Sequence, residues 1–282
     1  MPELPEVETI KRELNVIIGK KITDVIVNNA KVIKEPKKEK FIKELKNVAI
    51  KNIIRKGKLL IFELSSGKSL TIHLKMTGQL IYPSTTLGTS PQKSTRVRFK
   101  LSDGKFLDFN DRRLFGELRI IDDWRKLKFI KELGPEPFDI DVKKFAAMLK
   151  GTSRPESGSR PRSGKIKVLL MDQKFISGIG NLYANEALFR AKIHPQRPAN
   201  SLSKKEQELL FKEIKDTLSE AIKYKGSSVD QYVQLSGKPG EYSRYHQVYD
   251  REGEKCFKCK SEIKRISLGG RGTYFCPICQ KL

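Results

Sequence analysis

Six residues at the start of the chain, Met1-Pro2-Glu3-Leu4-Pro5-Glu6, bring an amine and two carboxylates together at a spacing that supports covalent chemistry. Removal of Met1, the ordinary processing where a small residue follows, makes the Pro2 nitrogen a free secondary amine. An α-amino group titrates near pH ~8, against about 10.4 for a lysine amine, so a terminal proline keeps a nucleophilic fraction at neutral pH without burial. Attack on an aldehyde-like carbon then gives an iminium directly. Glu3 and Glu6 fall one helical turn apart, close enough to that amine to move protons for it. The same residues also suit a plain helix start, where proline fits the first turn and acidic side chains complement the dipole.

The far end of the chain carries a second chemistry. Cys256 and Cys259 form one CxxC pair, Cys276 and Cys279 another, with sixteen residues between them. Four thiolates at about 2.3 Å complete a tetrahedral Zn2+ shell and leave no position for water, so one structural zinc ion is expected. Redox-active pairs are the alternative, and the absence of a βαβ context disfavours them. The insert holds Lys264, Arg265, Gly269, Gly270 and Arg271, which presents a Gly-flanked arginine at a hairpin tip suited to a phosphate backbone. A solvated charge run is the plainer reading of the same residues. The four cysteines are the only ones in 282 residues and none lies before Cys256, unlike a disulfide scaffold, which favours the cytosol.

Composition says what these groups work on. Lys and Arg total 57 against 33 acidic residues, a formal net charge of +24, which calls for a polyanion such as nucleic acid. No sustained basic amphipathic helix points instead to a membrane surface, no apolar run reaches the length of a membrane span, and no secretory signal opens the chain.

The elements that must position these residues follow from periodicity. Leu4, Val7, Ile10, Leu14, Ile17 and Ile18 form one apolar face of a helix ending at Gly19. From Lys21 to Ile121 the pattern becomes short alternating or apolar runs, including 22–27, 59–64, 69–74, 97–101 and 118–121. Ser66-Gly67, Pro83-Ser84 and Asp103-Gly104 separate them, as in an antiparallel β-sandwich or barrel. The breaker Gly134-Pro135-Glu136-Pro137 ends this region. Helical periods follow over 143–149, 166–174, 182–190 and 204–224, with Gly226 as a stop. Residues 151–164, almost without apolar side chains, read as a mobile basic loop. The expected architecture is α+β, with an N-terminal helix and β-sandwich over 1–134, a helical domain over 135–244 and a zinc ribbon over 245–282.

In combination the chain resembles the bacterial formamidopyrimidine-DNA glycosylases, base-excision repair enzymes for oxidised purines. The resemblance runs nearly end to end, through Pro2-Glu3-Leu4-Pro5-Glu6-Val7-Glu8, Arg55-Lys56-Gly57-Lys58 and His73-Leu74-Lys75-Met76-Thr77-Gly78. It continues through Asn110-Asp111-Arg112-Arg113-Leu114-Phe115-Gly116, Gly178-Ile179-Gly180-Asn181-Leu182-Tyr183 and Gly270-Arg271-Gly272-Thr273-Tyr274-Phe275-Cys276. It implies that Pro2 attacks C1′ of the damaged nucleotide and that Glu3 moves the protons of ring opening and of β- and δ-elimination. Glu6 supports the first turn, Lys58 lies near the sugar and its phosphate, and Arg271 reaches the lesion's phosphates. His73 and Asn181 contact DNA, the latter in a helix–two-turn–helix element where it can cap the following helix. Met76, Arg113 and Phe115 match the trio that fills the void left by a flipped base; taken alone, Met76 and Phe115 would read as core.

The resemblance further implies damaged double-stranded DNA as partner, no small-molecule cofactor, a monomer, and a cytoplasmic, nucleoid-associated location. Residues 152–164 look longer than the family's usual connection, and Glu241 to Gln247 departs from its Gly-x-Phe-Gln pattern, so lesion range stays open. Two other functions compete. An endonuclease VIII-type pyrimidine glycosylase usually opens Pro-Glu-Gly-Pro-Glu, which Leu4 contradicts. A non-catalytic DNA-binding zinc-ribbon protein would keep Met1 and so block the amine.

Overall fold

The computed structural model describes residues 1–82, 91–151, 164–229 and 231–282. The Pro83-Ser84 turn and all of the expected mobile loop except Gly151 and Gly164 lie outside the described residues. By contact the chain forms two units, Met1–Lys131 with Ala221–Ser243, and Glu132–Glu220 with Arg244–Leu282.

The first unit opens with α1 (Leu4–Glu13), whose Leu4, Val7 and Ile10 are fully buried; a 3-10 turn over Leu14–Ile17 extends the same face and Gly19 ends it. The chain then runs through β1 (Lys21–Val27), β2 (Ile33–Glu35), α2 (Lys38–Leu45), β3 (Val48–Lys56), β4 (Leu59–Leu64) and β5 (Ser69–His73). It continues through β6 (Gly78–Ile81), β7 (Thr95–Leu101), β8 (Phe106–Asp111), β9 (Glu117–Ile121) and the short α3 (Lys128–Lys131). The strands hydrogen-bond in the order β2-β9-β5-β4-β3-β1-β7-β8-β6. Between β1 and β3 the pairing is reduced to Lys21↔Ala49 and Ile22↔Val48, and there the sheet breaks into the two layers of a sandwich. Phe62, Ile72 and Leu118 from one layer and Val25, Val97, Phe99 and Phe109 from the other share a single core with α1. The sheet is antiparallel apart from β2, which pairs with β9 in parallel. The helix α2 interrupts a region whose sequence reads as strands throughout; it buries Phe41 and Leu45, one turn apart.

In the second unit come α4 (Val142–Lys150), α5 (Ile166–Met171), α6 (Asn181–Arg190) and α7 (Lys204–Lys223), the last three residues of α7 grouping with the first unit. α4 is capped by the Asp141 carboxylate on the Lys144 amide and stopped by Gly151 in the left-handed region. α5 is shorter than its periodicity suggests. Asp172 leaves the helical region and turns its carboxylate onto the Lys174 amide, as short polar side chains do at helix ends. The cysteine module closes the unit with the hairpin β10 (Lys264–Leu268) and β11 (Arg271–Phe275). Its tip is the pair Gly269-Gly270, both at positive φ (58° and 70°), which a two-residue turn matched to strand twist requires. Among the described residues no helix is long and apolar enough to cross a membrane.

Candidate active site

Pro2 and Glu3 are buried at the entrance to α1. Glu3 is the residue before the first helical turn, and it and Glu6 cap that turn reciprocally. The Glu3 amide donates to Glu6 Oε2 at 2.8 Å, and Glu6 Oε1 accepts the Ser227 amide at 2.9 Å. Glu6 therefore ties the residues that would do the chemistry to the segment Ala221–Ser243 of the same unit. Leu235 repeats the arrangement two turns further along the same face, its amide donating to Glu13 at 2.8 Å.

Lys58 is buried in the two-residue turn between β3 and β4, where Lys56 pairs with Leu59. Arg55 sets that turn against α1: Nε donates to Glu8 Oε2 at 2.8 Å and Nη1 to the Gly57 carbonyl at 2.9 Å. Burial pushes the Glu8 carboxyl pKa up, but the Arg55 and Arg12 guanidiniums outweigh it and hold the pKa below the usual value. An ionised Glu8 thus fixes the lysine-bearing hairpin to the helix that carries Pro2.

His73, at the end of β5, accepts the Lys75 amide on Nδ1 at 3.0 Å, so the neutral ring carries its proton on Nε2. Burial, then the Lys75 ammonium, push its pKa down to about 3. At neutral pH His73 offers a hydrogen bond and no charge. Met76, Arg113 and Phe115 come together on two adjacent loops. Arg113 Nη1 lies 3.3 Å from the Met76 sulfur, and its guanidinium carbon 4.8 Å from the Phe115 ring centre. Phe115 is 50% exposed, so it is not a core residue.

In the second unit Asn181 is the first residue of α6 and Gly180 precedes the helix in extended backbone. The Asn181 side chain does not cap α6. Its Oδ1 accepts Lys167 Nζ at 2.7 Å and its Nδ2 donates to the Gly272 carbonyl at 3.1 Å. Lys167, fully buried in α5, also donates to Thr273 Oγ1 at 2.6 Å and to the Gly272 carbonyl at 3.3 Å. The ammonium therefore locks the start of α6 to the hairpin strand that begins with the exposed Arg271. The Tyr274 amide adds a bond to Asn185 Oδ1 at 3.1 Å. Sequence reasoning missed Lys167, and also Glu186, whose buried carboxylate accepts the amides of Gln247, Val248 and Tyr249 at 2.8–3.0 Å. Burial raises the Glu186 pKa, against the lowering effect of those amides.

Cys256, Cys259, Cys276 and Cys279 bring their sulfurs within 4.8 Å of one another. Sulfurs around a tetrahedral zinc stand about 3.8 Å apart, given bonds of about 2.3 Å. The Cys256–Cys279 and Cys259–Cys276 distances of 3.9 and 3.3 Å fit that geometry. The donor set suits one structural zinc ion. Gln280 braces it, accepting the Cys276 amide at 3.0 Å and donating to the Ile193 carbonyl at 2.8 Å.

Profiles described as the formamidopyrimidine-DNA glycosylase N-terminal domain, its H2TH domain and a zinc finger found in FPG and IleRS match residues 1–118, 133–233 and 253–282. The formamidopyrimidine-DNA glycosylase of Pelotomaculum thermopropionicum is 41% identical over 286 residues, with 100% of both chains covered. Among solved structures, a mutant of Lactococcus lactis FPG in complex with Fapy-dG containing DNA is similar at a TM-score of 0.88 and 38% identity, covering 100% of each chain. L. lactis Fpg with abasic-site DNA is similar at 0.87 and 37%, covering 99% of this chain and 100% of that one.

Proposed function

The chain belongs to the formamidopyrimidine-DNA glycosylase family, and on that premise we propose that it excises oxidised purines from double-stranded DNA and nicks the strand at the resulting site. The observation that carries this reading is the N-terminal constellation, in which Pro2 and Glu3 are held at the start of α1 by the Glu6 carboxylate. The Pro2 nitrogen, freed of Met1, attacks C1′ as the N-glycosidic bond breaks, and the base departs with a proton. Glu3 protonates the sugar ring oxygen, and the ring opens to an iminium between Pro2 and C1′. Loss of the C2′ proton expels the 3′ phosphate by β-elimination, and a second proton loss expels the 5′ phosphate by δ-elimination. Water then hydrolyses the iminium and returns the amine.

Lys58, whose turn is anchored by Arg55, supplies a cation near the reacting sugar and its phosphate. Arg271 and Asn181 meet the DNA backbone, and neutral His73 donates a hydrogen bond to it. Met76, Arg113 and Phe115 fill the space the extruded nucleotide leaves. In this reading residues 1–134, 135–244 and 245–282 serve as catalytic, helical and ribbon modules of a monomeric enzyme that works in the bacterial cytoplasm on the nucleoid. Zinc shapes the ribbon and takes no part in bond breaking.

The test is covalent trapping with borohydride on duplexes containing 8-oxoguanine or a preformed abasic site, with N-terminal mass spectrometry confirming that Met1 is absent. Glu3→Gln cannot move a proton, and general acid–base help is worth about 10²–10⁴ in rate, so base release should nearly stop while abasic nicking persists. Pro2→Gly should impair both reactions. Undiminished trapping by Pro2→Gly would move the nucleophile elsewhere, Lys58 first. A protein that binds DNA with Met1 in place and never traps would be the non-catalytic binder.

A further inference from the structure

Asp111 ends β8 with its side chain at 0% exposure. One carboxylate oxygen, Oδ1, accepts the Thr77 hydroxyl and the Arg113 amide, the latter at 3.2 Å. The other, Oδ2, accepts the Gly116 amide at 2.7 Å. Thr77 Oγ1 in turn accepts the Arg113 amide at 3.1 Å. The main chain of Asp111 is held as well, its amide on the Ser94 carbonyl at 2.9 Å and its carbonyl under Arg96 Nε at 2.7 Å. One buried carboxylate thus gathers donors from two loops, the one between β5 and β6 and the one between β8 and β9.

Both loops need such an anchor. Lys75 precedes Met76 at φ 53°, and Leu114 separates Arg113 from Phe115 at φ 61°, a backbone region that side-chain-bearing residues disfavour. Leu114 packs against the core, which directs its two neighbours outward. Gly116 closes the loop where nothing larger fits, because a Cβ there would lie 2.5 Å from Phe109 Cζ and 3.0 Å from Asp111 Oδ2. On this frame Arg113 contacts both Met76 and Phe115, which makes one cluster of the three.

We propose that the Asp111 carboxylate is the positioning group that holds Met76, Arg113 and Phe115 as one preassembled wedge, so that the stack is filled without reordering two loops at each encounter. The inference rests on the void-filling reading of those three residues. Asp111 touches neither sugar nor base; it acts through the loops. A carboxylate suits the task because it only accepts, and its two oxygens take two amides of one loop and a hydroxyl of the other. Asparagine keeps one acceptor and can turn its NH2 toward the Thr77 hydroxyl, so it preserves part of the clamp. Leucine preserves none of it.

The experiment compares Asp111→Asn, Asp111→Leu, Thr77→Val and Arg113→Ala by single-turnover excision from an 8-oxoguanine duplex. It adds borohydride trapping on a single-stranded abasic oligonucleotide, which has no stack to fill, and fluorescence of 2-aminopurine placed opposite the lesion. Asp111→Leu should lose at least tenfold in duplex excision, keep single-strand trapping within twofold, and lose the 2-aminopurine response. Asp111→Asn should fall between it and the parent. Thr77→Val removes one leg of the clamp and should shift the same ratio at an unchanged melting temperature, which keeps the test decisive if Asp111→Leu fails to fold. Arg113→Ala tests the wedge itself, and normal excision by that variant would refute the void-filling reading. Impaired Arg113→Ala beside normal Asp111→Leu, or excision and single-strand trapping falling together in Thr77→Val, would overturn the role given to Asp111.

Discussion

Replacing Glu6 with glutamine removes the charge of the first-turn carboxylate and nearly preserves its shape. Glu6 Oε2 takes the Glu3 amide and Oε1 the Ser227 amide, at 2.8 and 2.9 Å. Glutamine can offer its oxygen to one of these donors, leaving the other N–H against an NH2. A hydrogen bond to a charged acceptor nets about 1.5–3 kcal/mol, and the surviving bond weakens toward the neutral range of about 1 kcal/mol. The clamp as a whole therefore loses about 2–5 kcal/mol. If about 2 kcal/mol of this is felt at the Glu3 amide, the equilibrium constant for holding Pro2 ready falls roughly thirtyfold, at about 1.4 kcal/mol per decade, which is the upper bound on the fall in population. Single-turnover borohydride trapping on an abasic duplex, well below the melting transition, reads that population. Trapping should slow by up to about thirtyfold, with a fall in melting temperature alongside it. Parental trapping kinetics in a protein with a lowered melting temperature would refute the argument, since Glu6 would then stabilise the unit without positioning the amine.

Three other expectations follow from the same geometry. Lys167→Met leaves Asn181 Oδ1 and Thr273 Oγ1 without their ammonium donor, at a net cost of about 2–4 kcal/mol; amide exchange across β10–β11 should accelerate and DNA affinity should fall, and unchanged exchange would count against the lock. Cys276→Ser removes a zinc ligand, so DNA binding should weaken while the β-domain stays folded by circular dichroism; full affinity after metal removal by a chelator would refute this. His246 is buried and its pKa is pushed down to about 4, so the folded state binds its proton only at lower pH than the unfolded chain, at about 6.5. Its contribution is complete above about pH 6.5 and is lost as the pH falls through 4, a total of about 3 kcal/mol. Denaturation midpoints should decline over that window, and His246→Gln should flatten the decline.

The readable parts of the chain are those where chemistry or burial constrains the residue type locally. The two CxxC pairs, the opening proline and carboxylates, and the alternating strand runs each confine their signal to a few neighbouring positions. The helix α2 was hidden because only Phe41 and Leu45 of its eight residues are buried, too few to establish a period. Asn181 misled for a related reason. An asparagine after Gly180 suits a cap, yet buried Lys167 sits within 2.7 Å and competes successfully for its oxygen. Lys167 itself is one of 57 basic residues, and only its place among Ile166, Leu169 and Leu170 on the inward face of α5 hints that it is special.

The contacts that organise the candidate site share a form that sequence cannot display. Glu6 binds the amide of Ser227, 221 residues away; Asp111 binds the amides of Arg113 and Gly116; Glu186 binds those of Gln247, Val248 and Tyr249. In each case one partner is a buried carboxylate and the other is main chain, which every residue except proline provides. A carboxylate therefore constrains its own position strongly and its partner's residue type hardly at all. For this reason Glu6 and Asp111 fall within recognisable motifs while the main-chain donors they hold do not. It also explains why the segment Ala221–Ser243, with no catalytic motif of its own, supplies the donor that steadies the start of α1.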